Sequence, residues 1–194
     1  MRLKGGSMFE DLARVFNGEL TSNERLLWSG QPKQGLTLRT SDLFLIPFSL
    51  LWGGFAVFWE FGVIKSNAPF FMRLFGIPFV LIGLYITVGR FFLDEKQRST
   101  TYYGVTNQRV IIVSNWFGRK VKSLNLKTLS DVSLTEKADR QGTITFGATN
   151  ILNWWYGGMW WPGMAQQTTP CFELIENAKE VYEKIRSAQN SSGA

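Results

Sequence analysis

Apolar residues fill two long stretches of the chain, Leu43–Ile64 and Phe70–Leu93. About 20 apolar residues at 1.5 Å per residue cross a hydrocarbon core of about 30 Å, and each stretch reaches that length. Only the short segment Lys65–Pro69 separates them, so both are hard to bury inside a small soluble domain. The pattern therefore predicts a transmembrane helical hairpin, with two buried helices of a soluble protein as the alternative.

After the hairpin, the pattern changes to short segments rich in Thr, Tyr, Val and Ile. Such segments at a spacing of roughly 8–12 residues predict an antiparallel sandwich or barrel. The predicted strands are Thr100–Thr106, Arg109–Ser114, Arg119–Leu124, Val132–Leu134, Thr143–Phe146 and Phe172–Ile175. Apolar residues then recur with helical period in Asn177–Gln189, which predicts one closing amphipathic helix. The fold class expected is α+β, with a membrane hairpin and a small β domain.

Before the hairpin, Phe9, Leu12, Ala13 and Phe16 repeat with helical period. A helix this short is unstable alone. We therefore expect a loosely ordered tail, with a docking helix as the alternative. Two apolar pieces after it predict short strands or an extended connector. The predicted organisation is an N-terminal segment 1–42, a hairpin 43–93, a β domain 94–189 and a disordered tail 190–194.

Composition narrows the classes of function. The chain has 194 residues, a formal net charge of +6, no histidine and one cysteine, Cys171. Without histidine the commonest general base and metal ligand are missing, so we expect a non-enzyme with no cofactor and no metal. A lone cysteine fits a reducing compartment. No nucleic-acid-binding motif accompanies the positive charge, so the expected partner is the lipid bilayer rather than nucleic acid.

The distribution of Lys and Arg predicts the orientation of the hairpin. The turn holds Lys65, with Arg73 just beyond it, whereas the flanking segments hold a larger set: Arg25, Lys33, Arg39, Arg90, Lys96, Arg98 and Arg109. Positive charge stays on the cytoplasmic side. We therefore expect a multi-pass protein of the inner (cytoplasmic) membrane with both termini in the cytoplasm.

Glu60 is the one acidic residue within the apolar stretches. It lies about 26 Å along the first helix, near the opposite surface, so we expect an interfacial carboxylate that reaches water. Arg73 and Arg90 are expected to reach opposite headgroup layers, and Gly53-Gly54 to permit close helix approach. The alternative is a small oligomeric channel or transporter subunit, with Glu60 on an ion path.

A second unusual stretch, Asn150–Gly163, is rich in aromatic residues, glycine and proline. Its large rings are Trp154, Trp155, Tyr156, Trp160 and Trp161. They predict either an aromatic cluster of the core or a surface for the membrane or a partner, and the sequence leaves both open.

The β pattern also resembles a known family. Tyr102–Ser114 (YYGVTNQRVIIVS) is similar to the hairpin of bacterial pleckstrin-homology-like (PH-like) proteins, with Tyr103, Thr106 and Arg109 at its fixed points. The segments ERLLWSGQP, SLNLKTLSDVSL, GTITFG and FELIENAKEVYEKI resemble other parts of its membrane-anchored members. The resemblance implies a non-catalytic, membrane-tethered module that assembles into homo-oligomers, with a protein partner that it does not identify.

Two groups of residues within this segment invite a binding role. Thr106 and Arg109 fit a ligand contact, but turn capping and cross-strand pairing explain both residue types more simply. Four cations fit contacts with anionic headgroups, with a solvated strand face as the alternative: Arg119, Lys120, Lys122 and Lys127. The leading hypothesis is a PH-like binding or assembly module held at the cytoplasmic face.

Overall fold

The computed structural model is an α+β protein with two long apolar helices and two small antiparallel sheets, and it describes residues 12–38, 42–147 and 169–193. Its elements in chain order are β1 (Leu26–Gly30), α1 (Asp42–Lys65), α2 (Phe70–Leu84), a π-helical turn (Tyr85–Gly89), α3 (Arg90–Ser99), β2 (Thr101–Thr106), β3 (Arg109–Ser114), β4 (Lys120–Asn125), a 3₁₀ turn (Leu126–Thr128), β5 (Val132–Glu136), β6 (Gly142–Phe146), β7 (Cys171–Ile175) and α4 (Ala178–Gly193).

The first sheet has the strand order β1-β2-β3-β4, and the second has the order β5-β6-β7. Strand β1 pairs antiparallel with β2, with Leu26 opposite Thr106 and Gly30 opposite Tyr103. Because β1 precedes the helices and β2 follows them, the helical hairpin is inserted between two neighbouring strands. The sheet therefore extends beyond the predicted segment 94–189.

Both sheets and α4 contribute to one hydrophobic core. Tyr103 of β2 stacks on Phe172 of β7 with ring centroids 4.5 Å apart, and Val181 and Ile185 of α4 are buried against them. At one corner the Lys33 N–H donates to the Leu174 carbonyl at 2.8 Å. Within the described residues no strand belongs to both sheets, so the arrangement is two open sheets rather than a closed barrel.

The opposite face of the first sheet is covered by the segment before β1. Phe16, in a helical turn at residues 12–16, is fully buried against Ile111 and Val113. A Cβ at Gly104 would lie 3.0 Å from the Phe16 ring, so a larger residue there would require the ring to move by a few tenths of an ångström. The expected loosely ordered tail is therefore wrong for residues 12–16, because β3 exposes an apolar face that this turn covers.

The two apolar helices pack against each other and leave most of their side chains exposed. Both Asp42–Lys65 and Phe70–Ser99 are long and apolar enough to cross a membrane, and only 22% and 17% of the residues in their most apolar parts are buried. The predicted close approach of the two helices is confirmed at Gly53 of α1 and Gly83 of α2. A Cβ at Gly83 would lie only 2.9 Å from the Gly53 Cα. Gly54, in contrast, faces open space.

Two arginines fix the base of the hairpin. Arg90 Nη2 lies 2.8 Å from Asp42 Oδ1, and both side chains are almost fully buried. Arg90 is thus paired with the first residue of α1, and its expected position at a headgroup layer stays a prediction. Arg98 donates to the carbonyls of Lys33 and Gly35 and to Thr37 Oγ1, so it holds the connector before α1 against α3.

Candidate functional site

The turn between β2 and β3 carries the first candidate residues, Thr106 and Arg109. Thr106 Oγ1 accepts hydrogen bonds from the Gln108 N–H at 3.2 Å and the Arg109 N–H at 3.0 Å. Such side-chain capping satisfies backbone donors that a tight turn leaves unpaired. Thr106 therefore has the turn-capping role that its position in the sequence predicts.

The Arg109 guanidinium is held by the segment that precedes β1. Its Nε and Nη2 donate to the two carboxylate oxygens of Glu24, each at 2.8 Å, and Nη2 also donates to the Glu19 carbonyl at 2.7 Å. Nη1 reaches Ser123 Oγ of β4 at 3.1 Å. This two-pronged pairing is the strongest geometry available to an arginine and a carboxylate. Arg109 thus joins three segments of the domain, and its guanidinium is hydrogen-bonded within the chain itself.

Glu24 is the residue of this cluster that sequence reasoning missed. Its side chain is only 1% exposed, and Thr106 Oγ1 lies 2.8 Å from its Oε1. Burial raises the pKa of Glu24, but the hydrogen bonds from Arg109, Thr106 and Thr21 outweigh that effect and lower the pKa to about 2. The same pairing raises the pKa of Arg109. The pair therefore stays ionised across the physiological range.

Tyr103 lies in the core rather than at a surface. Its side chain is fully buried, and its hydroxyl oxygen accepts a hydrogen bond from the Glu173 N–H at 3.2 Å. The three fixed points of the β2–β3 hairpin therefore have different roles. Tyr103 joins the two sheets, whereas Thr106 and Arg109 fix the turn between β2 and β3 and the segments beside it.

The strand β4 separates the four candidate cations. Lys120 and Lys122 lie on β4, the edge strand of the first sheet, whereas Lys127 follows its far end in the 3₁₀ turn. A strand rises about 3.3 Å per residue, so Lys120 and Lys127 lie about 20 Å apart. Arg119 donates to Glu19 Oε1 at 2.8 Å and so helps to hold the N-terminal segment. The four cations do not form one patch.

A polar cleft of about 1050 Å³ lies at the end of the domain that contains Lys127. The turn between β2 and β3 forms one wall and α4 the other, and charges of both signs line it. Its charged residues are Arg25, Lys127, Glu180, Glu183 and Lys184. Glu180 and Lys184 pair with each other at 2.8 Å across one helical turn. This mixture of charges does not favour a ligand of one sign.

Within the helical hairpin, one oxygen of the Glu60 carboxylate, Oε2, is buried against α2 at Gly76, where a Cβ would overlap it, while the residue as a whole is half-buried. Its expected interfacial position stays a prediction. Among the described residues no donor meets this oxygen. The missing side chain of Gly76 provides the space for it. Beside it, an apolar pocket of about 280 Å³ lies between the helices and is lined by Trp52, Phe55, Ala56, Trp59, Phe75 and Phe79.

The aromatic-rich stretch lies outside the described residues, and with it Trp154, Trp155, Tyr156, Trp160 and Trp161. Across the part of the chain that the structure describes, no group of three or more Cys, Asp or Glu side chains is arranged to hold a metal ion. The candidate site therefore consists of the Glu24–Arg109 cluster, the cations of β4 and the hairpin itself.

Comparison with known proteins adds no relative: no family model, no curated protein and no solved structure matches this chain.

Proposed function

We propose that this chain is a non-catalytic, membrane-anchored binding or assembly module whose PH-like domain faces the cytoplasm. One observation carries the proposal: two apolar helices with largely exposed side chains are inserted between adjacent strands of a sheet. Exposed apolar surface on this scale requires a lipid or protein cover. Because the helices are inserted into the sheet, the β domain lies at the surface of the lipid or protein that covers them.

The PH-like assignment rests on the order and packing of the β elements. Four antiparallel strands, three further antiparallel strands and a terminal helix share one core, and the helix packs against both sheets. The Tyr103, Thr106 and Arg109 hairpin belongs to this arrangement. Since Tyr103 is buried in the core and Glu24 binds both Thr106 and Arg109, the domain is expected to act through its surfaces, either on lipid or on further copies of itself.

Cysteine labelling in intact cells tests the orientation. Single cysteines are introduced at Asn67, in the turn between α1 and α2, and at Ser191 near the end of α4, in a Cys171→Ala background. A membrane-impermeant maleimide should label position 67 from outside and reach position 191 only after cell lysis. Labelling of position 191 in intact cells, with position 67 protected, would reverse the proposed topology.

The buried Glu60 Oε2 favours a second candidate, an oligomeric channel or transporter subunit. Carboxylates within membrane segments commonly mark ion paths. Purified protein in vesicles loaded with a pH-sensitive dye separates the two functions. A proton or cation flux that Glu60→Gln abolishes would establish the channel function, whereas an unchanged dye signal in both proteins supports the binding module.

A further inference from the structure

We propose that the tip between β3 and β4 rests in the headgroup layer of the membrane that holds the hairpin, and that it recognises anionic lipid. The tip comprises residues 115–119 and ends at Lys120. This inference rests on the proposed function, because it names the partner of the domain that the hairpin anchors. Three observations carry it: the register of the sheet, the exposure of apolar side chains, and the position of one cation.

The register places the tip at the end of the sheet where the hairpin enters. Thr101, the first residue of β2, pairs with Ser114, which in turn pairs with Lys120 of β4. The Asn115 N–H donates to the Thr100 carbonyl at 3.0 Å, directly after the last turn of α3. The tip therefore lies beside the point at which the chain leaves the second apolar helix.

The distance from the hydrocarbon core fits this position. Leu93 is the last apolar residue before Asp94, and the helix from there to Thr100 rises about 10 Å. The headgroup layer of a bilayer is roughly 5–8 Å thick on each side. The backbone of the tip therefore lies a few ångströms beyond the headgroup layer, and a large side chain that points along the helix axis spans that gap. The tip is thus within reach of the headgroups.

Exposed apolar side chains concentrate at this end. Phe117 is 77% exposed and its ring centroid lies 4.4 Å from that of Trp116. Leu36 and Leu38, in the connector that Arg98 holds against α3, are 67% and 68% exposed. An aromatic pair at a turn and two leucines beside a membrane helix have the composition of an interfacial anchor.

The charges at the tip select the sign of the lipid. Lys120 is exposed at the start of β4, next to the aromatic pair. Arg119 is engaged by Glu19, so Lys120 is the cation that we assign to a headgroup phosphate. Lys127, about 20 Å away along β4, has the same charge but lies too far from the membrane, which makes it a matched control.

A spin label on the full-length protein tests the proposal. The label is attached at Asn115→Cys, which keeps both aromatic residues, or at Lys127→Cys, in a Cys171→Ala background and in nanodiscs of phosphatidylglycerol and phosphatidylcholine. Collision with oxygen, which partitions into lipid, is compared with collision with a water-soluble nickel complex. The ratio of oxygen collisions to nickel-complex collisions should be higher for the label at 115 than for the label at 127.

Three variants, one of them a control, and one change of lipid then separate the contributions of the aromatic ring and of the charge to docking. Phe117→Ser should shift the label at 115 toward water, reducing the ratio of docked to undocked domain about tenfold or more. Lys120→Gln should lower docking in phosphatidylglycerol, whereas Lys127→Gln should leave it unchanged. Equal docking in pure phosphatidylcholine and with phosphatidylglycerol would overturn the anionic preference.

The outcomes also distinguish this inference from the function on which it rests. If an alkaline carbonate wash releases the full chain from membranes, the proposed membrane anchor is wrong. If the chain stays in the membrane but the labels at 115 and 127 meet the nickel complex equally, the anchor stands and the docked tip is overturned.

Discussion

At the scale of single residues, the Glu24–Arg109 pair joins two positions that are 85 residues apart in the chain. Breaking a fully buried ion pair costs about 3–5 kcal/mol, because the remaining charge has no partner, and with Arg109 29% exposed this pair lies at the lower end of that range. The pair connects the turn of one β hairpin to the segment that covers the back of the sheet. We therefore expect it to govern the stability of the domain rather than its binding.

The lowered pKa of Glu24 makes a prediction about pH. An ordinary pKa of 4.5 falls to about 2 in the folded protein. Stability from this carboxylate is therefore complete above pH 4.5 and is lost as the pH falls toward 2. The shift corresponds to about 3 kcal/mol. Urea unfolding of the domain in detergent micelles should show a midpoint that falls over this window.

Glu24→Gln provides the comparison. The variant should be less stable at pH 7 by about 3 kcal/mol and should lack the part of the pH dependence that Glu24 supplies. Glu183→Gln, at an exposed position of α4, is the control and should match the parent protein. Identical pH profiles for the parent protein and the Glu24 variant would contradict the assignment.

The turn chemistry of Thr106 and Arg109 could be predicted because it is local: a threonine three residues before an arginine can cap the turn between them. The role of Glu24 could not be predicted. Its position opposite Arg109 depends on the pairing of β1 with β2, and no short-range signal carries that pairing. The buried position of Phe16 has the same cause, since its partners on β3 become neighbours only when the sheet forms.

At the scale of elements, the crossing of α1 and α2 depends on a pair of glycines. Gly83→Val should force the helices apart, because its Cβ would lie 2.9 Å from the Gly53 Cα. Overpacking of this kind costs about 1–3 kcal/mol. The expected result is a lower temperature of aggregation in detergent and weaker crosslinking between cysteines placed on the two helices.

Gly54→Val is the matched control for this experiment. It makes the same change of residue within α1, but a Cβ at Gly54 would have no neighbouring atom within 4 Å. The control should crosslink as the parent protein does. Equal losses in both variants would show that valine disturbs the helix itself, and the close crossing would then not be the cause.

The positions of many elements followed from periodicity, whereas their pairing did not. The run of β-branched residues in Arg109–Ser114 predicts β3 with the bounds that the structure has, and both faces of this strand are buried. The strand before the hairpin offers only three apolar residues between turn signals, Leu26, Leu27 and Trp28. Consecutive strands are usually neighbours, but here the long helical hairpin lies between them, so the sequence pattern does not indicate the pairing of β1 with β2.

At the scale of the whole molecule, the β domain contains segments from both sides of the hairpin. A fragment of residues 94–194 lacks β1, Phe16 and Glu24, so one edge of β2 and the back of β3 are left uncovered. We predict that this fragment aggregates. Exposed apolar surface and an unpaired strand edge favour association.

Replacing residues 39–93 with a short Gly/Ser linker should restore a soluble, folded domain. The two ends of the linker lie close together, because Thr37 Oγ1 is 3.2 Å from Arg98 Nη1 and Asp94 Oδ2 is 3.0 Å from Arg98 Nε. Circular dichroism and size-exclusion chromatography should give a cooperative thermal transition for the linked protein and none for the fragment. Equal folding of the two would contradict the role of β1.

The insertion of the hairpin between β1 and β2 also dictates an order of events during synthesis. The ribosome must make residues 31–100 after β1 before β2 exists, which takes roughly 4–14 s at about 5–20 residues per second. Closing a flexible loop of this length costs about 4 kcal/mol in chain entropy. A hairpin inserted from one side brings its two ends together and removes most of that cost. In the proposed membrane-anchored function, insertion of the helices into the bilayer therefore comes before closure of the sheet, and the bilayer holds the two ends of the loop together while the β domain folds.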